Sequence, residues 1–174
     1  MEIEFATPTG EALAALRRAL DVAVADDRSL LSPAGRLALL GAAVVEVGRL
    51  QSLVLALVGE AEAAEASMIE VGVGTRGWLV DSHRLSPHEA GSLVKQAERL
   101  DRFEHVRAAA LAGDVRPQQA RAVVDVLTAL PDDFSPAQVA AGEQEMLQQT
   151  EMFHAVELTR LARQQARPDM RAVA

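Results

Sequence analysis

The sequence predicts an all-α fold, a helical bundle in which one long N-terminal helix is followed by short helix-turn-helix-like repeats. Three observations lead there. Three segments set a proline at the first turn of a helix with Glu or Gln two residues later: Ser86-Pro87-His88-Glu89, Arg116-Pro117-Gln118-Gln119 and Ser135-Pro136-Ala137-Gln138. Leu85–Val94 aligns with Val115–Val124 at a spacing of thirty residues, an internal repeat of helical hairpins. Composition agrees, with 49% apolar residues but only 3% aromatic, no Tyr and a single Trp. Such a core must be Leu, Val and Ala between closely approaching helices, which argues against a β-sandwich.

Proline has no N–H to lose at the first helical position, and its fixed φ suits a helix. Ser86 and Ser135 can each accept from the third helical N–H while Glu89 or Gln138 reaches back, forming a capping box. Arg116 cannot cap in that way. The second copy should start less firmly, by roughly 0.5–2 kcal/mol if nothing replaces the cap, with Asp114 the candidate substitute.

Taken in order, a first helix runs from Pro8 to Ala25, capped by Thr7 or Thr9, with Leu13, Leu16, Leu20 and Val24 as its stripe. Asp26-Asp27 ends it. Ser32-Pro33 starts a long helix reaching about Ile69, in which Leu37, Leu40, Val44, Val47, Gln51, Val54 and Val58 follow a 3-4-3-4 spacing. This is a heptad seam with one polar position. Leu39, Leu50, Leu53 and Leu57 form a second stripe, so the helix needs cover on two sides. A membrane span is long enough to fit Leu37–Gly59, but Glu46 and Arg49 would each cost roughly 2.5–3.5 kcal/mol there and no basic cluster flanks the segment. A central bundle helix that also pairs with a second copy, through Leu40, Val44, Val47, Gln51, Val54 and Val58, is the preferred reading.

Val71-Gly72-Val73-Gly74 reads as a hinge. Short helices follow at about 76–82, 87–100, 103–111, 117–130, 136–149 and 155–165, with Gly113 and Pro131 marking ends. The expected organisation is an arm over residues 1–72, a repeat domain over 75–167 and a tail over 168–174.

Net charge is −8, which ordinarily discourages binding to a polyanion. Its distribution is uneven. Residues 1–75 hold five basic and eleven acidic side chains, net −6; residues 76–121 hold eight and six, net +2; residues 122–174 hold four and eight, net −4. The absence of Cys removes disulfides, thiolate metal sites and cysteine nucleophiles, and fits a reducing cytoplasm. The acidic start MEIEFATPTGEA lacks the basic region of a secretory signal.

Trp78–Leu93 threads through a helix-turn-helix template, with Ala90, Leu93 and Val94 inward and His88, Glu89, Ser92, Lys95, Gln96 and Arg99 outward. Arg and Lys can contact phosphate or guanine, and Gln can read adenine. Arg84 takes the place of the usual turn glycine, and plain helix packing explains the same hairpin. The candidate nucleic-acid-binding set is Arg84, His88, Ser92, Lys95, Gln96, Arg99, Arg102 and Arg121.

Metal and catalytic motifs are not found. Glu151-Met152-Phe153-His154 has the Glu-x-x-His spacing of carboxylate-bridged bundles, but such sites need two copies and further carboxylates. His88-Glu89 begins like a zinc-peptidase motif, yet Leu93 stands where another ligand belongs. No phosphate loop or nucleophile elbow occurs. No cofactor or metal is expected.

From Gly77 to about Gln165 the chain resembles the 13E12 repeat family, a bacterial domain of unknown function usually found ahead of an HNH endonuclease domain. Trp78-Leu79, Arg84-Leu85-Ser86, Glu89-Ala90, Val94, Ala97 and Leu100 carry the resemblance first. Ala108–Leu111 with Gly113, Gln119-Ala120, Leu127–Pro131, and Leu158 with Leu161-Ala162-Arg163 continue it. It implies an all-α accessory domain, attached in relatives to a metal-dependent nuclease and helping it engage DNA; with no catalytic motif in this chain, a non-catalytic module is expected. The partners it implies are DNA and an HNH nuclease domain in cis or trans; the expected homodimer through the long helix and the expectation of no membrane rest on the heptad seam and the mid-helix charges described above. An HNH site needs paired histidines, normally an Asn, and a ββα hairpin; this chain has no Asn, no strand pattern and no suitable His pair. The expectation is a truncated form or a short stand-alone relative.

Overall fold

A computed structural model of the chain describes residues 7–130 and 134–165, with side chains as far as residue 160. Among them are nine α-helices and no strand: α1 (Pro8–Ala25), α2 (Pro33–Ala63), α3 (Ala66–Val71), α4 (Thr75–His83), α5 (Pro87–Leu100), α6 (Glu104–Ala112), α7 (Pro117–Thr128), α8 (Pro136–Thr150) and α9 (Ala155–Gln165). The protein is all-α with one long helix near its N-terminus. Pro131, the first six residues and the 168–174 tail lie outside the described residues. The chain divides into two compact units, Met1–Gly41 and Ala42–Ala174.

In the first unit α1 starts where the sequence places it, with the Thr7 hydroxyl accepting from Gly10 N at 3.1 Å. It ends at Asp26, where the extended backbone breaks the helix. Arg28 Nη2 then turns back onto the Ala23 carbonyl at 2.7 Å, supplying a cation to the negative end of the helix dipole. Ser29 N donates to Asp27 Oδ1 at 2.9 Å, and this bond is the first cause of a carboxyl pKa below its ordinary value. Of the stripe on α1, Leu13 and Leu16 are half-buried while Leu20 and Val24 are exposed.

The second unit is built around α7, which packs against α5, α6, α8 and α9. Ala120, Ala122, Val123, Val124 and Leu127 of α7 are buried, and Val106, Ala110, Val115, Met146 and Leu158 close around them. Small side chains on α7 let its neighbours approach on several sides. Glu143 of α8 is buried at 5% exposure, and its Oε2 accepts from His105 N at 3.0 Å and Val106 N at 3.3 Å. The carboxylate thus sits on the N-terminal N–H groups of α6, where the helix dipole favours a negative charge. Phe103 begins α6 without a side-chain cap of its own.

Both serine capping boxes form as read from the sequence. Glu89 N donates to Ser86 Oγ at 3.1 Å and Ser86 N to Glu89 Oε2 at 2.9 Å; Gln138 N donates to Ser135 Oγ at 3.3 Å and Ser135 N to Gln138 Oε1 at 2.9 Å. At Arg116 only half a box is possible, because guanidinium has no acceptor. Gln119 Oε1 accepts from Arg116 N at 3.1 Å, and its Nε2 donates to the Thr150 and Phe153 carbonyls, both at 2.9 Å. Asp114 makes no side-chain bond to α7 among the described residues. No side chain takes the place of the missing serine, but Gln119 joins α7 to the α8–α9 turn.

Three expectations about the long helix are corrected. It ends at Ala63 rather than Ile69, because Glu65 adopts a left-handed conformation with φ 48° and α3 begins after it. Propensity gives no warning, since EAEAAE is rich in helix formers. Glu60, Glu62 and Glu65 crowd negative charge at the negative end of the dipole, with no basic residue in the last turn, and Ser67 Oγ bonds Thr75 Oγ1 at 3.2 Å to draw α3 toward α4. Second, Val58, assigned to the pairing seam, is buried at 7% exposure within the chain itself, next to Gly59, where a Cβ would lie 3.9 Å from Ala97 Cβ of α5. Third, the single chain covers the helix on one side only: Leu37, Leu40, Val44, Val47 and Val54 are 69%, 60%, 46%, 54% and 39% exposed. By length and composition α2 could cross a membrane. Its middle nevertheless carries the Glu46–Arg49 pair at 3.2 Å, and Arg49 Nε also donates to the Leu111 carbonyl at 3.3 Å.

The two copies of the repeat turn differently. Arg84 and Gly113 both take left-handed backbone, φ 56° and 91°, but two residues separate Arg84 from its proline and three separate Gly113 from its own. A Cβ on Gly113 would lie 2.8 Å from Arg49 Cδ, so glycine is required there twice over. We predict that Gly113→Ala lowers stability by about 1–2 kcal/mol while Arg84→Gly, which relieves strain, raises it by about 1 kcal/mol. Urea melts of the three proteins check this, and a stability gain in Gly113→Ala would contradict it.

Candidate nucleic-acid interface

The Ser86–Glu89 box fixes the start of α5, and Ala90, Ala97 and Leu100 bury one side of it. Leu93 and Val94 are half-buried. Lys95 and Arg99 therefore fall on the side that faces the first turns of α7, within the second unit. Gly48 of α2 meets the start of α7, where an added Cβ would lie 3.3 Å from Pro117 Cδ. Between α2, α5 and α7 lies a groove holding about 580 Å³ of space open to solvent. Leu55, Leu100, Ala120 and Val124 form an aliphatic floor, and Ser92, Lys95, Gln96, Arg99, Arg121 and Asp125 line its polar parts.

The structure brings five of the eight candidate residues into this groove: Ser92, Lys95, Gln96, Arg99 and Arg121. Arg84 lies at the left-handed turn before α5, His88 in the exposed first turn of α5, and Arg102 in the exposed turn after it; none lines the groove. The helix-turn-helix template places Ser92 and Gln96 outward, yet both are half-buried. Gln96 Nε2 donates to the Ser92 hydroxyl at 2.8 Å and to its carbonyl at 3.1 Å, so this side of α5 is a wall rather than a ridge.

Asp125 is a member of the site that sequence reasoning missed. Its Oδ1 lies 2.8 Å from Arg99 Nη1 and its Oδ2 3.8 Å from Arg121 Nε. One signal points to it: Asp125 stands thirty residues after Lys95, at the equivalent place in the repeat. With three cations and one carboxylate, the groove carries a net charge of about +2. The pairs are 40–62% exposed and contribute little to stability. Their role is to hold two guanidinium groups in place.

Histidines have structural roles in two places. The His83 ring packs edge-to-face on Trp78 with centroids 4.5 Å apart, and His154 precedes α9, where Glu157 Oε2 accepts from its N–H at 3.2 Å. Among the described residues no group of three or more His, Asp or Glu side chains gathers to hold a metal. Compared with family models, curated proteins and solved structures, the chain matches none.

The Ser86 hydroxyl, and after it the Ser86 N–H, hold the Glu89 carboxyl below its ordinary value of 4.5. A depressed carboxyl stabilises the fold above its unfolded pKa and loses that effect as pH falls through the folded one. Glu89→Gln keeps a neutral box, so the wild type should be the more stable above about pH 4.5, with the difference vanishing in stronger acid. Thermal melts from pH 7 to pH 3 test this; a difference independent of pH would contradict it.

Proposed function

We propose that the chain is a non-catalytic helical accessory module that binds nucleic acid through the groove between α2, α5 and α7, in the manner of a domain that positions an HNH-type nuclease on DNA. One observation carries the reading: Lys95, Arg99 and Arg121, drawn from two helices, converge on one concave surface with a single carboxylate. The three cations belong to residues 76–121, which carry net positive charge while the stretches on either side are net negative, and Asp125 lies beyond the end of that segment. The likeness to the 13E12 repeat family supports the nuclease context, and cytoplasmic residence goes with it. Phosphate neutralisation by Lys and Arg makes affinity fall with salt. Lys95→Ala combined with Arg99→Ala should weaken binding to a labelled oligonucleotide and reduce the salt slope by about 0.7–0.9 for each phosphate that is no longer neutralised. Mobility shift between 50 and 200 mM salt measures both. Binding that is absent in the wild type at tens of micromolar protein in 50 mM salt, or unchanged in the variant, contradicts the proposal.

A second reading, an oligomerisation module, is favoured by the exposure of α2. Leu40 in the first unit and Val44, Val47, Gln51 and Val54 in the second keep heptad spacing and stand in solvent. Paired helices would cover them. Sedimentation should show a dimer that Val47→Glu dissociates; a monomer at all concentrations, with the variant equally soluble and helical, contradicts this reading.

A further inference from the structure

The shape of the groove specifies its ligand further than its charge does. Duplex DNA is read by an element that protrudes into a major groove about 12 Å wide. Here the surface is recessed: Ser92 and Gln96 are half-buried, and the Gln96 amide is held by Ser92. The floor is aliphatic, through Leu55, Leu100 and Val124, and the space above it opens to solvent between the cationic side chains. A face of this kind cannot enter a duplex, but it can receive a base that has left the stack.

We infer that the groove binds unpaired nucleic acid, seating a base on the aliphatic floor with flanking phosphates on Lys95, Arg99 and Arg121. Asp125 occupies the phosphate position in the free protein. The carboxylate lies against Arg99 at 2.8 Å and Arg121 at 3.8 Å, as a phosphate oxygen would, because guanidinium groups recognise either anion through the same planar fork. An arriving phosphate displaces it. Asp125 thereby sets the affinity, and Lys95, with no ion-pair partner among the described residues, makes the first contact. A single strand also presents exposed base faces, which the planes of Arg99 and Arg121 can stack upon. The inference rests on the nucleic-acid reading above and adds the strand state of the ligand and the role of Asp125.

The test is fluorescence anisotropy of the full chain in 50 mM salt, with a labelled fifteen-nucleotide single strand of mixed sequence and with its duplex. Wild type and Asp125→Asn are compared. Expected are binding to the single strand about tenfold tighter than to the duplex, and a further several-fold tightening in Asp125→Asn with the salt slope steeper by about 0.7 for each additional phosphate neutralised. Duplex binding equal or tighter, or an Asp125→Asn variant with unchanged affinity, overturns the inference while the nucleic-acid reading stands. No binding of either probe by either protein overturns that reading, and the inference with it. Asp125 is 45% exposed at its side chain and lies outside the buried core; should Asp125→Asn fail to fold, Asp125→Ser carries the same comparison.

Discussion

Burial of α7 from several sides is the constraint on which the second unit depends. A helix surrounded by α5, α6, α8 and α9 can be approached closely only if its contact positions are small or β-branched, and Ala120, Ala122, Val123 and Val124 meet that need. Close packing of short side chains contributes dispersion and removes apolar area from water without aromatic bulk. The same burial makes polar groups at the helix ends costly to leave unpaired. Half-buried Gln119 and buried Glu143 answer this, one spanning Arg116 N and two carbonyls of the α8–α9 turn, the other covering the α6 N-terminus.

The groove follows from how α2 meets this core. Gly48 lies over Pro117, and Arg49 crosses Gly113 to reach the Leu111 carbonyl. Both contacts use a glycine to admit a neighbour, and they set α2 against the starts of the second repeat's turn and helix. Between those contacts the helices leave the groove, with Leu55 at its base and charged side chains at its edge. Proline at the first position of α7 thus has two consequences: it begins the central helix and forms part of the groove wall. Function and packing share residues there.

Helix starts are legible because their chemistry is local. Thr7, Ser86 and Ser135 cap as their sequence contexts require, and the five prolines among the described residues stand at first turns. Arg84, where the template wants a glycine, takes the glycine's left-handed conformation despite the strain. What local sequence does not reveal depends on distant partners. The break at Glu65 arises among good helix formers, Val58 is buried by tertiary packing, and Gln119 is hidden because its acceptors lie more than thirty residues away. The same limit applies to the groove. Lys95 and Arg99 are legible as charges on a helix, but their convergence with Arg121 on Asp125 is tertiary, signalled only by the thirty-residue register.

Amide chemical-shift mapping of the isotopically labelled protein, titrated with a short oligonucleotide at low salt, tests the central claim most directly. The largest shifts are expected at residues 92–99 and 117–125, with weaker ones at 52–55 of α2, while Arg84, His88 and Arg102 stay unperturbed. Shifts concentrated at Arg84, His88 and Arg102 with none along the groove would contradict it.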